Sequence, residues 1–183
     1  MDRGLLGSII MDLASRPVGV TPSPIPDDLN RLSAKVIGCA IEVHRALGPG
    51  LLESAYDGAF CIELAHQRLQ FLRQLESPIA YRGQLVGAYR LDFLVEDALV
   101  VEVKSVECLE YVYVSQVLTY LRATGKRLGL ILNFNVPVMK AGVRRVAVAR
   151  STLIEDTKAH RDVLLGYPKK RSPCVFVPLC LCD

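Results

Sequence analysis

The sequence predicts one α/β domain in which a mixed β-sheet, including a hairpin, is flanked by helices in the order ααβββαβ. Three observations predict this fold class. Apolar residues recur at spacings of three and four over residues 36–47 and 52–64, as they do along one face of a helix. After Leu69 the apolar period changes to two, which is typical of half-buried strands. A second helical pattern over 109–123 then precedes a continuous apolar run at 128–134, the pattern of a buried strand.

Two helices open the predicted domain. The first runs from Asp27, which with Asp28 is expected to cap it, to about Leu47, and the segment Gly48-Pro49-Gly50 ends it. The second helix follows at once, with an apolar stripe over residues 52–64.

The predicted strands are bounded by turns. Tyr81-Arg82-Gly83-Gln84 separates the first strand from the second. Glu96-Asp97 separates the second from the third and makes this pair an antiparallel hairpin. The four strands of this order are expected over about 71–80, 85–95, 98–104 and 128–134, and the pattern at 143–149 is compatible with one more strand at the end.

The predicted domain spans residues 29–150 and has an extension at each end. Alternate prolines over 21–26 forbid a helix, so residues 1–28 are expected to form an extended arm. Residues 151–183 form a basic, proline-containing C-terminal extension. Its apolar segment from Val175 to Leu181 suggests one alternative function, that of an assembly element in a homodimer.

Composition is that of an ordinary globular protein, with 51% apolar and 22% charged residues. No stretch approaches the ~18–20 apolar residues of a membrane-spanning helix, so we expect no membrane association. The N-terminal segment lacks the basic and apolar regions of a secretion signal, and the six cysteines are therefore expected to be free thiols in the cytoplasm.

Charge is distributed unevenly along the chain. Residues 1–97 hold 9 Lys and Arg against 12 Asp and Glu, whereas residues 98–183 hold 13 against 7. The basic second half suits a polyanionic partner such as nucleic acid.

The predicted hairpin brings two carboxylates together. On the third strand Glu102 and Lys104 share one face, and a three-residue loop centred on Asp97 puts Asp92 opposite Glu102, with the side chains ~5 Å apart. Two like charges so close are unfavourable unless a cation lies between them, and oxygen ligands suit Mg²⁺ or Mn²⁺. A metal beside the Lys104 ammonium is what phosphodiester hydrolysis needs. The alternative is a solvated edge hairpin with ordinary salt bridges. Asp92 is expected to point away from the face shared by Leu91, Phe93 and Val95.

The helix that follows carries a polar residue on its apolar side. Gln116 falls within the stripe, where an unpaired amide would cost ~1–3 kcal/mol, so it needs a hydrogen-bond partner. Gln116 and Tyr120 are four residues apart and should point together toward the surface beneath the helix. The predicted stripe consists of Leu109, Val112, Tyr113, Val117, Tyr120 and Leu121.

These residues carry a family resemblance. Asp92, the segment Glu102-Val103-Lys104 and the segment Gln116-Val117-Leu118-Thr119-Tyr120 resemble the PD-(D/E)xK nuclease signature with the QxxxY motif of its RecB-like branch. The stretch GCAIEVHRALGPGLLESAY at 38–56 resembles the GxxExxY family within that superfamily. The resemblance covers roughly residues 30–148 and implies a restriction-endonuclease-like core.

The resemblance also implies roles for individual residues. Glu53, Asp92 and Glu102 would be the acidic metal-site residues, and the backbone carbonyl of Val103 would be a further ligand. Lys104 would be the catalytic lysine. Without the resemblance, Glu53 is better explained as a charge that favours the start of a helix.

Gln116 and Tyr120 would support this site or contact the nucleic acid backbone. The implied activity is Mg²⁺- or Mn²⁺-dependent hydrolysis of nucleic acid, with DNA expected in preference to RNA. The alternative is a catalytically silent nucleic-acid-binding or regulatory protein on the same fold.

Some residues depart from the family pattern. Arg68 stands where a helix-ending glycine is usual, and Tyr113 stands where a histidine is common. His44, on the inner stripe of the first helix, is either a structural histidine or a support for the site. The spacing of Cys174, Cys180 and Cys182 does not match that of iron–sulfur nucleases, so no iron–sulfur cluster is expected.

Overall fold

The computed structural model describes residues 24–82 and 84–149 of the chain. Within them the predicted order ααβββαβ is confirmed, and it is followed by a single-turn helix and by a fifth strand within 143–149. The elements are α1 (Asp27–Leu47), α2 (Glu53–His66), β1 (Phe71–Tyr81), β2 (Gln84–Val95), β3 (Leu99–Lys104), α3 (Tyr111–Thr124), β4 (Leu128–Asn133), α4 (Met139–Gly142) and β5 (Val143–Ala147).

The five strands form one mixed sheet in the order β1-β2-β3-β4-β5. Only β3 and β4 run parallel within it, and α3 provides the crossover that a parallel pair requires. One face of the sheet packs against α1 and α2, and the other packs against α3, so the core has two layers. This arrangement is consistent with the predicted restriction-endonuclease-like fold.

The start of α1 differs from the prediction. Its cap residue is Pro26, and no side chain caps the helix. Asp27 and Asp28 lie in the first turn, where their charges interact favourably with the helix dipole without forming a capping bond. The helix therefore includes Asp27 and Asp28, the last two residues of the predicted arm.

The end of α2 contains Arg68 in the left-handed conformation, at φ 56°. The Arg68 N–H donates to the Ala65 carbonyl at 2.9 Å, and the Leu69 N–H donates to the Leu64 carbonyl at 3.0 Å. This pair of bonds is a Schellman motif, in which glycine is the usual left-handed residue. The arginine thus occupies a position whose backbone favours glycine.

The β2–β3 hairpin has the predicted register. Phe93 pairs with Val101 and Val95 pairs with Leu99, so the loop is centred on Asp97. Glu96 and Asp97 both adopt positive φ, which lets so short a loop reverse the chain.

The β1–β2 ladder is interrupted at one position. Gln74 has φ 53° in the interior of β1 and, like Asp92 on β2, lies between the ladder pairs Arg73–Phe93 and Leu75–Leu91. On either side of this position the apolar residues of β2 pack differently: Leu91 packs in the α3 layer, whereas Phe93 packs beneath α1 and α2. The prediction that Leu91 shares a face with Phe93 and Val95 is therefore wrong, because a left-handed residue interrupts the regular alternation.

Several predictions lie outside the described residues. These are the arm over 1–23, the C-terminal extension, the apolar segment from Val175 to Leu181, and Cys174, Cys180 and Cys182. Within 24–82 and 84–149, no helix is both long enough and apolar enough to cross a membrane.

Candidate active site

Glu102 and Lys104 lie on the α3 side of β3, where they are 2% and 9% exposed. Their alternation with Val101 and Val103, which pack beneath α1 and α2, turns both polar side chains to the same face. The Lys104 Nζ donates a 2.7 Å hydrogen bond to Glu102 Oε1. A buried charge needs a partner of this kind, because an isolated one is strongly disfavoured.

Asp92 joins this pair by a contact from side chain to backbone. The paired part of β2 and β3 ends at Phe93–Val101. Beyond it, the Asp92 side chain replaces a backbone partner, because Asp92 Oδ2 accepts a 3.0 Å hydrogen bond from the Val103 N–H. The N–H and C=O of one strand residue point to the same side, so the Val103 carbonyl also faces this edge of β3. The predicted neighbours Asp92, Glu102 and Val103 are thus brought together.

The pKa shifts at the site reflect one buried carboxylate, Glu102, and one partly buried carboxylate, Asp92, beside one ammonium. Burial and the nearby charge of Asp92 raise the pKa of Glu102 to about 7, despite the hydrogen bond from Lys104. Burial raises the pKa of Asp92 as well, opposed by the hydrogen bond from Val103. Burial lowers the pKa of Lys104, but the carboxylates of Glu102, Asp92 and Glu53 outweigh it, and the net shift is upward. Lys104 therefore stays charged.

Glu53 reaches the site from the first turn of α2. Its Oε1 lies 3.8 Å from Lys104 Nζ, and its side chain is 48% exposed. The turn before it is held by Tyr56, whose hydroxyl donates to the Gly48 carbonyl at 2.6 Å and accepts from the Leu51 N–H at 3.1 Å. Gly50 supplies a positive φ within this turn. Gly50, Glu53 and Tyr56 thus belong to one local structure, which places the Glu53 carboxylate beside Lys104.

Helix α3 covers the site with three polar or aromatic side chains. Gln116 donates a hydrogen bond from Nε2 to the hydroxyl of Tyr120, which answers the predicted need for a partner. Burial raises the pKa of Tyr120, and the charges of Glu102 and Asp92 raise it further, although the bond from Gln116 opposes them. Lys104 Nζ lies 5.9 Å from the centre of the Tyr113 ring, within cation–π range.

Part of the predicted α3 stripe is wrong. Val112 is 58% exposed and lies in the first turn of the helix, which begins at Tyr111, two residues after the predicted start at about Leu109. Val117, Tyr120 and Leu121 are buried as predicted.

Asp92, Glu102 and the Val103 carbonyl are hard oxygen donors, as Mg²⁺ or Mn²⁺ would require. Glu102 Oε2 is buried without a hydrogen-bond partner, so one carboxylate oxygen remains available. Across residues 24–82 and 84–149, however, no three His, Cys, Asp or Glu side chains converge closely enough to hold a metal ion. Glu53 pairs with Lys104 instead. The donors fit a hard cation, and the predicted set of four is brought together only in part.

The sequence interpretation missed three residues beside the site. Gln74 Nε2 donates to Asp92 Oδ1 at 3.3 Å. Asp57, one turn after Glu53, forms a partly buried ion pair with Arg73, and its charge contributes to the raised pKa of Asp92. Asp57 could have been predicted, because residues four apart on a helix lie on the same face and Asp57 follows Glu53 at that spacing. No local sequence pattern marks Gln74 as a site residue.

Two further buried polar residues have structural partners. His44 Nε2 lies 2.8 Å from the Val136 carbonyl, and the imidazole stacks near Phe134, as expected of a structural histidine. Asn133 pairs with both the N–H and the C=O of Val106, at 3.0 and 2.8 Å. Asn133 therefore anchors the chain where it leaves β3, two residues after Lys104.

Comparison with known families gives one match. The family model described as the PD-(D/E)XK nuclease superfamily matches residues 30–146. This span exceeds half of the chain and includes every site residue described above. A search of the curated proteins finds no similar sequence.

Proposed function

The chain belongs to the PD-(D/E)XK nuclease superfamily, and from that premise we propose that it hydrolyses phosphodiester bonds in nucleic acid with Mg²⁺ or Mn²⁺ as cofactor. The observation that carries the proposal is the cluster of buried Glu102 and Lys104 with partly buried Asp92, in which Glu102 keeps one oxygen without a partner. Two neighbouring carboxylates removed from water cost free energy that the single Lys104 ammonium does not fully offset, and a bound cation would offset it further.

Asp92, Glu102 and the Val103 carbonyl are the proposed metal donors, and Glu53 is the proposed fourth. When bound, such a cation supplies Lewis acidity and lowers the pKa of a bound water. Lys104 stays charged among its carboxylates, so it can orient the attacking water or stabilise negative charge that develops on the phosphate. Gln116 and Tyr120 support the geometry from α3.

DNA is the proposed substrate, in preference to RNA. One feature supports a polyanionic partner, and a second supports DNA as that partner. Residues 98–183 carry the excess of basic side chains, and among them Arg122, Lys140 and Arg144 are exposed. The preference for DNA follows the resemblance of the Gln116–Tyr120 segment to the RecB-like motif.

A second candidate is a nucleic-acid-binding or regulatory protein that does not turn over. It is favoured by the pairing of Lys104 with both Glu102 and Glu53, since a lysine held as a counterion leaves fewer carboxylate oxygens for a metal. The two candidates differ in one measurable property: the nuclease cleaves nucleic acid when metal is added, and the non-catalytic protein does not.

The test is cleavage of labelled single- and double-stranded DNA and RNA by the full chain, with Mg²⁺ or Mn²⁺ and with chelator. We expect cleavage that requires metal and is lost in Asp92→Ala and Lys104→Ala. The matched control is Lys35→Ala. Lys35 is exposed on α1, outside the basic second half of the chain, and donates to the Gln67 carbonyl at 3.0 Å, so its removal should leave cleavage intact.

Absence of cleavage, together with calorimetry that detects no metal binding dependent on Asp92 and Glu102, would contradict the nuclease proposal. Retained binding of nucleic acid in that case would favour the non-catalytic candidate.

A further inference from the structure

Gln74 occupies an unfavourable backbone conformation in the interior of a strand. Its φ of 53° is in the left-handed region, which costs a non-glycine residue ~1–2 kcal/mol. Glycine, asparagine and aspartate tolerate this region better than glutamine does. The choice of glutamine at this position is therefore not explained by the backbone, and its side chain needs another reason.

The side chain of Gln74 contacts Asp92. Gln74 and Asp92 both lie between the ladder pairs Arg73–Phe93 and Leu75–Leu91, which brings the two residues close together. Its amide donates to Oδ1, while the Val103 N–H donates to Oδ2. Donors from β1 and β3 thus hold the two oxygens of a carboxylate that β2 carries.

Two donors on different oxygens restrict rotation of the carboxylate. The Val103 bond alone would leave Asp92 free to swing about that contact, and the Gln74 amide removes this freedom. Partners behind a metal-binding carboxylate typically change metal affinity or activity 10–100-fold when they are removed.

We propose that Gln74 is a positioning residue that sets the orientation of the Asp92 carboxylate relative to Glu102 and the Val103 carbonyl. The inference rests on the proposed function, because orientation matters for catalysis only if Asp92 binds the metal. The left-handed conformation of Gln74 lowers the stability of β1 locally, and the side-chain amide of Gln74 lies against the Asp92 carboxylate.

The experiment uses three variants of the full chain. Gln74→Met removes the amide and keeps the length of the side chain. Gln74→Gly removes the amide and also relieves the backbone, so it should melt at or above the wild-type temperature. Gln84→Met makes the same chemical change at an exposed position near the far end of β2 and serves as the control.

The first readout is the amide resonance of Val103 in metal-free protein, because its N–H is bonded to Asp92. The second is Mn²⁺ affinity by calorimetry, and the third is kcat and KM for cleavage. We expect both Gln74 variants to shift the Val103 resonance and to weaken Mn²⁺ binding or lower kcat 10–100-fold, with KM for nucleic acid little changed. Gln84→Met should do none of these.

A merely structural role for Gln74 would lower the melting temperature in both variants and spread resonance changes over β1 and β2. The proposal is overturned if Gln74→Met leaves the Val103 resonance and Mn²⁺ affinity as in wild type. If the wild-type protein neither binds Mn²⁺ nor cleaves, the proposed function fails. The Val103 resonance then decides by itself whether Gln74 holds Asp92.

Discussion

Lys104 donates a 2.7 Å hydrogen bond to Glu102, two residues earlier on the same buried strand. The bond favours the charged forms of both groups. It does not offset the burial of Glu102 and its proximity to Asp92, so the pKa of Glu102 is still raised to about 7. The folded protein therefore disfavours the charged forms of these carboxylates, and the first two predictions follow from the raised pKa of Glu102.

Stability without metal should fall as pH rises from 5 to 8. The pKa of Glu102 is higher in the folded protein than its ordinary value of 4.5, so the folded state binds the proton more tightly. The resulting stabilisation is fully present below pH ~4.5 and is lost as pH passes through ~7. We expect a loss on the order of 1–3 kcal/mol in the free energy of unfolding, measured by urea denaturation with chelator.

Glu102→Gln should flatten this pH dependence, because the amide does not titrate. Glu42→Gln is the matched control, since Glu42 forms an exposed pair with Arg45 on α1. A profile that stays equally steep in Glu102→Gln would contradict the assignment to Glu102.

Mg²⁺ affinity should rise between pH 6 and 8. A metal requires the deprotonated carboxylate, and the pKa of Glu102 at about 7 means that binding must displace a proton over this range. Calorimetry in buffers of different ionisation enthalpy should detect that proton release. A pH-independent affinity with no proton release would show that Glu102 is not a ligand.

Tyr56→Phe should destabilise the fold by ~1–3 kcal/mol and reduce cleavage. The change removes both hydrogen bonds that this hydroxyl forms, to the Gly48 carbonyl and the Leu51 N–H, each worth about 0.5–1.5 kcal/mol, while the ring can still stack on Phe134. Cleavage should fall because this turn places Glu53. Tyr81→Phe, at an exposed tyrosine at the end of β1, is the control. Wild-type stability in Tyr56→Phe would mean that the turn does not depend on the hydroxyl.

Arg68→Gly should stabilise the protein by ~0.5–1 kcal/mol and leave cleavage unchanged. Glycine adopts the left-handed conformation at the end of α2 without the steric cost that Arg68 carries. Thermal melting of Arg68→Gly and Arg68→Ala separates the causes, because alanine keeps a Cβ. An equal gain in both variants would point to the arginine side chain and away from the backbone.

Local pattern was enough to predict most of the fold. The order of helices and strands and the register around Asp97 depend on periodicity and loop length, and a register error of one residue would have moved every apolar side chain to the wrong face. The same alternation predicted that Glu102 and Lys104 share a face. The prediction from local pattern was wrong at Leu91, which follows the position where the left-handed Gln74 of β1 interrupts the ladder with β2.

By itself, the sequence determined the α/β element order, the hairpin that brings Asp92 to Glu102 and Lys104, and the polar pair Gln116 and Tyr120 on α3. Each of these depends on neighbours within one or two elements. Tertiary structure alone decided the partners of Gln74, Glu53 and Asp57, and the raised pKa values of the carboxylates. These contacts join elements that are distant in the chain, and protonation depends on burial, which exists only once the layers have packed.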